Sequence, residues 1–155
     1  MIRIDIPATS ANLGSGFDSL GIALTMCNRV WMEEADELKI TTTDKIKVPT
    51  DETNLIYWAA RHLYQICGKT LPGLHIIQEN NIPMARGLGS SSACIVAGIL
   101  GANRMLGSPM SQSDLINLAA QIEGHPDNTA LSLLPWRASA CTAFPCRFPA
   151  RSALR

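Results

Sequence analysis

The chain opens on an alternation of apolar and polar positions, Met1-Ile2-Arg3-Ile4-Asp5-Ile6, the period of a half-buried strand. This predicts a first strand over 2–6. Residues 7–17, Pro-Ala-Thr-Ser-Ala-Asn-Leu-Gly-Ser-Gly-Phe, are small or turn-forming and read as a turn region. Asp18 to Leu24, Asn28 to Glu34 and Leu38 to Thr42 predict three more strands. At Asp51-Glu52-Thr53 the period changes. Ile56, Ala59, Ala60, Leu63 and Cys67 fall on one helical face, with Thr53 as the predicted N-cap, acids near the positive end of the dipole, and Gly68 as the stop. Leu74 to Gln78 returns to strand spacing. Ala93 to Met105 reads as a buried helix and ends at Gly107 and Pro109. Ser111 and Asp114 bracket the start of another helix that runs to Ile122 and closes at Gly124. No internal repeat is visible. Strands grouped early and helices later predict a layered α+β domain.

Length and composition narrow this picture. A chain of 155 residues suits one domain, and 46% hydrophobic residues can build its core. No apolar run approaches the ~20 residues of a bilayer span, and the amino terminus reads as a strand and not a signal peptide. The expected location is cytoplasmic, with no membrane partner. The cysteines, Cys27, Cys67, Cys94, Cys141 and Cys146, are odd in number and form no C-x-x-C pair, which argues against a metal site or a disulfide framework. Cys67 and Cys94 are expected in the core. Net charge is zero and gives no electrostatic reason to expect nucleic acid. The neutral total is divided, however. Residues 1–128 hold all 13 acids against nine basic side chains, and residues 129–155 hold four arginines and no acid. That shift places a boundary after 128, followed by a divergent tail expected to be disordered or out of frame.

The chemistry concentrates in Pro83-Met84-Ala85-Arg86-Gly87-Leu88-Gly89-Ser90-Ser91-Ser92-Ala93. Two glycines let the backbone approach a ligand closely. Three serines then lead into an apolar helix whose first N–H groups have no internal partner and face outward at the positive dipole end. A polyphosphate fits there. There is no Gly-Lys-Ser/Thr, so this is not a Walker A loop. A bare Gly-x-Gly reads more readily as a loop capping a helix. The leading proline, the serine triplet and the buried helix make the full string far more specific.

That string resembles the second signature of the GHMP small-molecule kinases, which include galactokinases, mevalonate kinases and homoserine kinases. Two other segments resemble homoserine kinases in particular: Pro7-Ala8-Thr9-Ser10-Ala11-Asn12-Leu13-Gly14-Ser15-Gly16-Phe17-Asp18, and Glu123-Gly124-His125-Pro126-Asp127-Asn128. Each alone reads more readily as a simple turn or a polar loop. Their occurrence together, in family order over about residues 1–128, carries the resemblance. It implies the GHMP kinase N-terminal domain, with the ribosomal protein S5 domain 2-like fold. The implied activity is transfer of the ATP γ-phosphate to the hydroxyl of L-homoserine in threonine biosynthesis, with ATP and Mg²⁺ as cofactors. A homodimer of the full-length protein is a further expectation. Under this resemblance Pro83, Arg86, Gly87, Leu88, Gly89, Ser90, Ser91 and Ser92 bind the nucleotide phosphates, and Asn54 lies near the adenine. Ser90 and Glu123 ligate magnesium. Asn12, Asp18, His125, Asp127 and Asn128 face the substrate, the carboxylates suiting its ammonium group. An asparagine is no base, so Asn128 orients the hydroxyl while the phosphate takes the proton, with Asp127 next door as the alternative base. His62 and His75 are expected to be structural or surface residues.

After Asn128 the resemblance fades. The chain reads Thr129-Ala130-Leu131-Ser132-Leu133-Leu134-Pro135-Trp136 and then an arginine- and proline-rich end, where the family continues with small residues and paired glycines. Kinases of this type carry a C-terminal domain, a late glycine-rich loop and arginines for the substrate carboxylate, none of which is found here. An out-of-frame end and a genuine short variant both fit. The readings in competition are a homoserine kinase portion, a GHMP kinase for another small alcohol, and a non-catalytic fragment.

Overall fold

A computed structural model describes residues 1–15, 21–125 and 127–133. The elements in order are β1 (Ile2–Ala11), β2 (Gly21–Glu34), β3 (Lys39–Thr42), α1 (Leu55–Ile66), β4 (Leu74–Glu79), α2 (Ser90–Met105), α3 (Gln112–Glu123) and α4 (Asp127–Leu133). The four strands form one sheet in the order β1-β2-β4-β3, antiparallel except for the β3–β4 pair. The expected α+β class holds.

Register places the apolar rows. Ile2 pairs with Met32, Met32 with Ile76 and Ile40 with Ile76, while Ile4 pairs with Val30. Ile4, Ile6, Val30, Met32, Ile40 and Ile76 are all buried, so one face of the sheet meets the helices. The alternate row of β1, β2 and β4 is mostly charged or polar, with Trp31 and Ile77 among it. Arg3 bonds Asp5, Arg29 bonds Glu79 at 2.6 Å, and the Arg3 guanidinium lies 5.8 Å from the Trp31 ring centroid. Helix α2 is central, packing against β1, β2 and the other three helices. Two of its glycines permit this closeness. A Cβ on Gly98 would lie 2.3 Å from the Ile56 carbonyl oxygen of α1, and one on Gly101 would lie 2.4 Å from Met32 Sδ in the sheet.

Several boundaries differ from the sequence reading. The turn expected over 7–17 is strand as far as Ala11, because Pro7, Ala8 and Thr9 are buried and Thr9 pairs with Ala23. The strands expected at 18–24 and 28–34 are joined in one long β2 from Gly21 to Glu34, and positions 18–20 lie outside the described residues. Helix α1 is capped by Asn54, whose Oδ1 accepts from the Ile56 N–H at 3.0 Å, while Thr53 donates from backbone and hydroxyl to Asp51. Helix α2 starts at Ser90, three residues before the apolar run, so the serines form its first turn. The Ser111–Asp114 capping box is present as expected, and Gly124 closes α3 in the left-handed region. The boundary expected after 128 falls inside α4, where Thr129, Ser132 and Leu133 are buried. The rest of the expected tail, 134–155, lies outside the described residues.

Candidate active site

The glycine-serine loop joins β4 to α2, and its base is pinned by side chains. Asn28 Oδ1 accepts from the Asn81 and Ile82 N–H groups, both at 2.8 Å, and Asp44 Oδ2 accepts from the Asn80 N–H at 2.6 Å. Ile82 is fully buried. Beyond this anchor Pro83, Met84, Ala85, Arg86 and Gly87 are exposed. The loop turns through positive φ at Ala85, Gly87 and Gly89 and docks on β1 where the Thr9 N–H donates to the Leu88 carbonyl at 3.1 Å. Gly89 is the N-cap of α2 with φ of 67° and no side-chain cap, and the first turn carries no acid. The N–H groups of Ser90, Ser91 and Ser92 thus lead the helix without a capping side chain. Such an end attracts anions through its dipole and its free donors.

Beside this helix start stands the end of α3. Ser92 Oγ donates a close hydrogen bond to Glu123 Oε1. The second carboxylate oxygen, Oε2, is buried and lacks a hydrogen-bond partner among the described residues. Burial pushes the Glu123 carboxyl above its ordinary range, against the lowering effects of the Ser92 bond and of His125, with Asp127 adding to the rise. A buried oxygen with no donor is costly as a carboxylate and is suited to a cation. Gly124 then turns the chain into α4, whose first residues meet β1. Asn12 Nδ2 donates to Asp127 Oδ2 at 3.1 Å, and Thr9 Oγ1 donates to Asn128 Oδ1 at 3.0 Å. Asn12 itself sits at φ of 58°, a conformation asparagine tolerates better than most residues.

The three segments that the sequence singled out therefore converge on one end of α2. Residues 54–135 match the model of the GHMP kinases N terminal domain, slightly more than half of the chain. The chain belongs to the GHMP kinases. This GHMP domain is 49% identical over 138 residues to the homoserine kinase of Trichodesmium erythraeum, covering 86% of this chain and 45% of that protein. It is 46% identical over 145 residues to the homoserine kinase of Desulfitobacterium hafniense, covering 92% and 49%. The crystal structure of homoserine kinase from Cytophaga hutchinsonii superposes with a TM-score of 0.75 at 32% identity, covering 85% of this chain and 45% of that one. The chain spans about half the length of the curated relatives it matches.

Within the GHMP domain the expected residues fall into distinct groups. Asn12, Asp127 and Asn128 share one hydrogen-bonded cluster with β1. His125 is exposed beside it, with its carbonyl accepting from Thr129 Oγ1 at 3.4 Å. Asp18 lies outside the described residues. Ser90 is half-buried and Ser91 exposed, and the serine in direct contact with Glu123 is Ser92. Asn54 is engaged in the fold. Beyond its cap it donates to the Pro49 carbonyl at 2.9 Å and accepts from Gln78 Nε2 at 3.3 Å. Val48 and Thr50, on either side of Pro49, line a depression of about 560 Å³ along the β3 edge. His62 stacks on Trp58 and His75 lies 3.4 Å from Glu33. Cys67 and Cys94 pack against the core. Sequence reasoning passed over Thr9, although it stands inside the first segment. A hydroxyl in a strand gives no sign of which loop it will meet.

Proposed function

We propose that this domain is the phosphate- and acceptor-binding part of a homoserine kinase, which transfers the γ-phosphate of ATP to the hydroxyl of L-homoserine and yields O-phospho-L-homoserine and ADP. The convergence at the start of α2 carries this reading. An uncapped helix end, a buried carboxylate with a free oxygen, and an Asn–Asp pair bring phosphate, cation and alcohol sites together. Identities of 42–49% to homoserine kinases support the acceptor.

In this reading Gly87, Leu88, Gly89, Ser90, Ser91 and Ser92 cradle the polyphosphate by backbone N–H groups, with Pro83 and Arg86 framing the loop. Mg²⁺ favours one or two carboxylates together with hydroxyl, water and phosphate oxygens. Glu123 and Ser90 would hold it, and Oε2 of Glu123 is the free donor atom that fits. The bound ion neutralises charge on the transferring phosphoryl group. Asn12, Asp18, His125 and Asp127 face the ammonium side of the substrate, and Asn128 orients the hydroxyl. The depression beside Pro49 suits the nucleotide base, with Asn54 shaping it through the Pro49 carbonyl. A cytoplasmic location, the absence of nucleic-acid and membrane partners, and a homodimer of the full-length protein accompany this reading.

The test is coupled ADP release by the full-length protein carrying this domain, with L-homoserine compared against mevalonate, galactose and no acceptor. Preference for another acceptor sinks the assignment. Glu123→Ala and Ser90→Ala should abolish magnesium-dependent turnover while folding is kept, and unchanged magnesium dependence refutes their metal role.

A further inference from the structure

Thr9 joins three elements at one point. Its side chain is fully buried. Its hydroxyl donates to Asn128 Oδ1 at 3.0 Å, and its N–H donates to the Leu88 carbonyl at 3.1 Å. A Cβ built on Gly89 would lie 2.3 Å from Thr9 Oγ1. The strand pairing is irregular here. Pro7 pairs with Cys27 and Thr9 with Ala23, so the β1–β2 register slips between them, immediately before Thr9. Such irregularities re-aim side chains next to functional sites. Thr9 is thus fixed on all sides, by its strand, by the loop and by α4.

A carboxamide has one end that accepts hydrogen bonds and one that donates them. The end Asn128 turns outward depends on what holds the other. With the Thr9 hydroxyl donating to Oδ1, the two N–H groups of Nδ2 remain for a ligand. We propose that Thr9 is a positioning residue that fixes the Asn128 carboxamide with Nδ2 toward the acceptor alcohol. The inference rests on the acceptor-alcohol reading above. Asn128 then donates to the alcohol oxygen and cannot take its proton. The alcohol oxygen bonds to the γ-phosphorus, the bond from that phosphorus to the β–γ bridging oxygen breaks, and ADP leaves. The alcohol proton passes to an oxygen of the transferred phosphoryl group. The Thr9 N–H bond to Leu88 sets the phosphate loop at a fixed separation from Asn128, so one residue registers both substrates.

The contact can be read without turnover. In the ¹⁵N-labelled 155-residue chain, the Asn128 side-chain N–H₂ pair is identified by its loss in Asn128→Asp. Wild type and Thr9→Ser should show two separated, slowly exchanging signals. Thr9→Val keeps the shape and the backbone bond to Leu88 but removes the hydroxyl. It should move the pair to free-amide positions and speed exchange by about tenfold. Thr9→Ala asks the same question should the valine variant fail to fold. A pair unchanged in both variants overturns the inference, whatever the acceptor does. A pair that follows Thr9, while the full-length enzyme prefers another acceptor to L-homoserine, upholds the Thr9 link and sinks the acceptor assignment instead. In the full-length enzyme Thr9→Val should lower kcat by about tenfold with KM for ATP unchanged. Thr9→Ser should recover it, and Thr9→Val should add nothing to Asn128→Ala. An unchanged kcat in Thr9→Val overturns the proposal.

Discussion

Replacing Gly89 by alanine tests the contact between the glycine-serine loop and β1 most directly. Two costs follow from the geometry. Gly89 has φ of 67°, and an alanine held in the left-handed region loses about 1–2 kcal/mol. The new methyl would also stand 2.3 Å from Thr9 Oγ1. Thr9 is short, buried and bonded to Asn128, so it cannot yield as a long flexible side chain would, and overpacking of this kind costs about 1–3 kcal/mol. The sum is about 2–5 kcal/mol, a large share of the stability of a small domain. Gly87 supplies the control. Its φ is 69° and nothing lies within 4 Å of its Cβ position, so Gly87→Ala should show the backbone cost alone. Urea denaturation of the two variants gives the difference, seen as a midpoint lower by about 1 M in Gly89→Ala than in Gly87→Ala. Thr9→Ala removes Oγ1 and leaves the Thr9 Cβ at an ordinary 3.5 Å. The double variant should therefore be less destabilised than the sum of the two singles. If Gly89→Ala costs no more than Gly87→Ala, the docking of the loop on Thr9 is wrong.

Other expectations follow from the same geometry. Asn54→Ala should cost about 2 kcal/mol, since it removes a helix cap and two further bonds, one buried and one part-buried. Thr53→Ala should change the denaturation midpoint far less, and equal losses would refute the cap assignment. Glu123 has its carboxyl raised by burial above the usual 4.5, so the native state holds a proton that the unfolded chain has released. Stability should therefore fall as pH rises from 4.5 through the folded value, and Glu123→Gln should flatten that dependence in magnesium-free urea titrations. A parallel pH profile for the two proteins rules the burial argument out. Gly101→Val should unfold the domain or lower its midpoint strongly, because Met32 and Ile4 already occupy the space. Thermal melts that match wild type would mean α2 does not press on the sheet as described.

By itself the sequence determined what local chemistry determines. Alternation over Ile2 to Ile6 specified a strand, and the apolar run from Ala93 to Met105 specified a buried helix. Ser111 with Asp114 specified a capping box. The glycine-serine string marked the loop before α2 as the candidate phosphate site, because the residue types that a loop–helix anion site needs are adjacent in the chain. Tertiary structure decided everything that depends on neighbours distant in sequence. Strand β1 runs on through Pro7 to Ala11 because β2 supplies partners that no local pattern reveals. Asn54 and not Thr53 caps α1 because Asn54 alone is buried with Pro49 and Gln78 to bond. Ser92, the buried one of three identical serines, meets Glu123 because the helical turn points it toward α3 while Ser91 faces water. The Thr9–Asn128 bond spans 119 positions. It forms because the sheet and α4 close on the same end of α2, and a spacing of that length leaves no trace in hydrophobic period or motif.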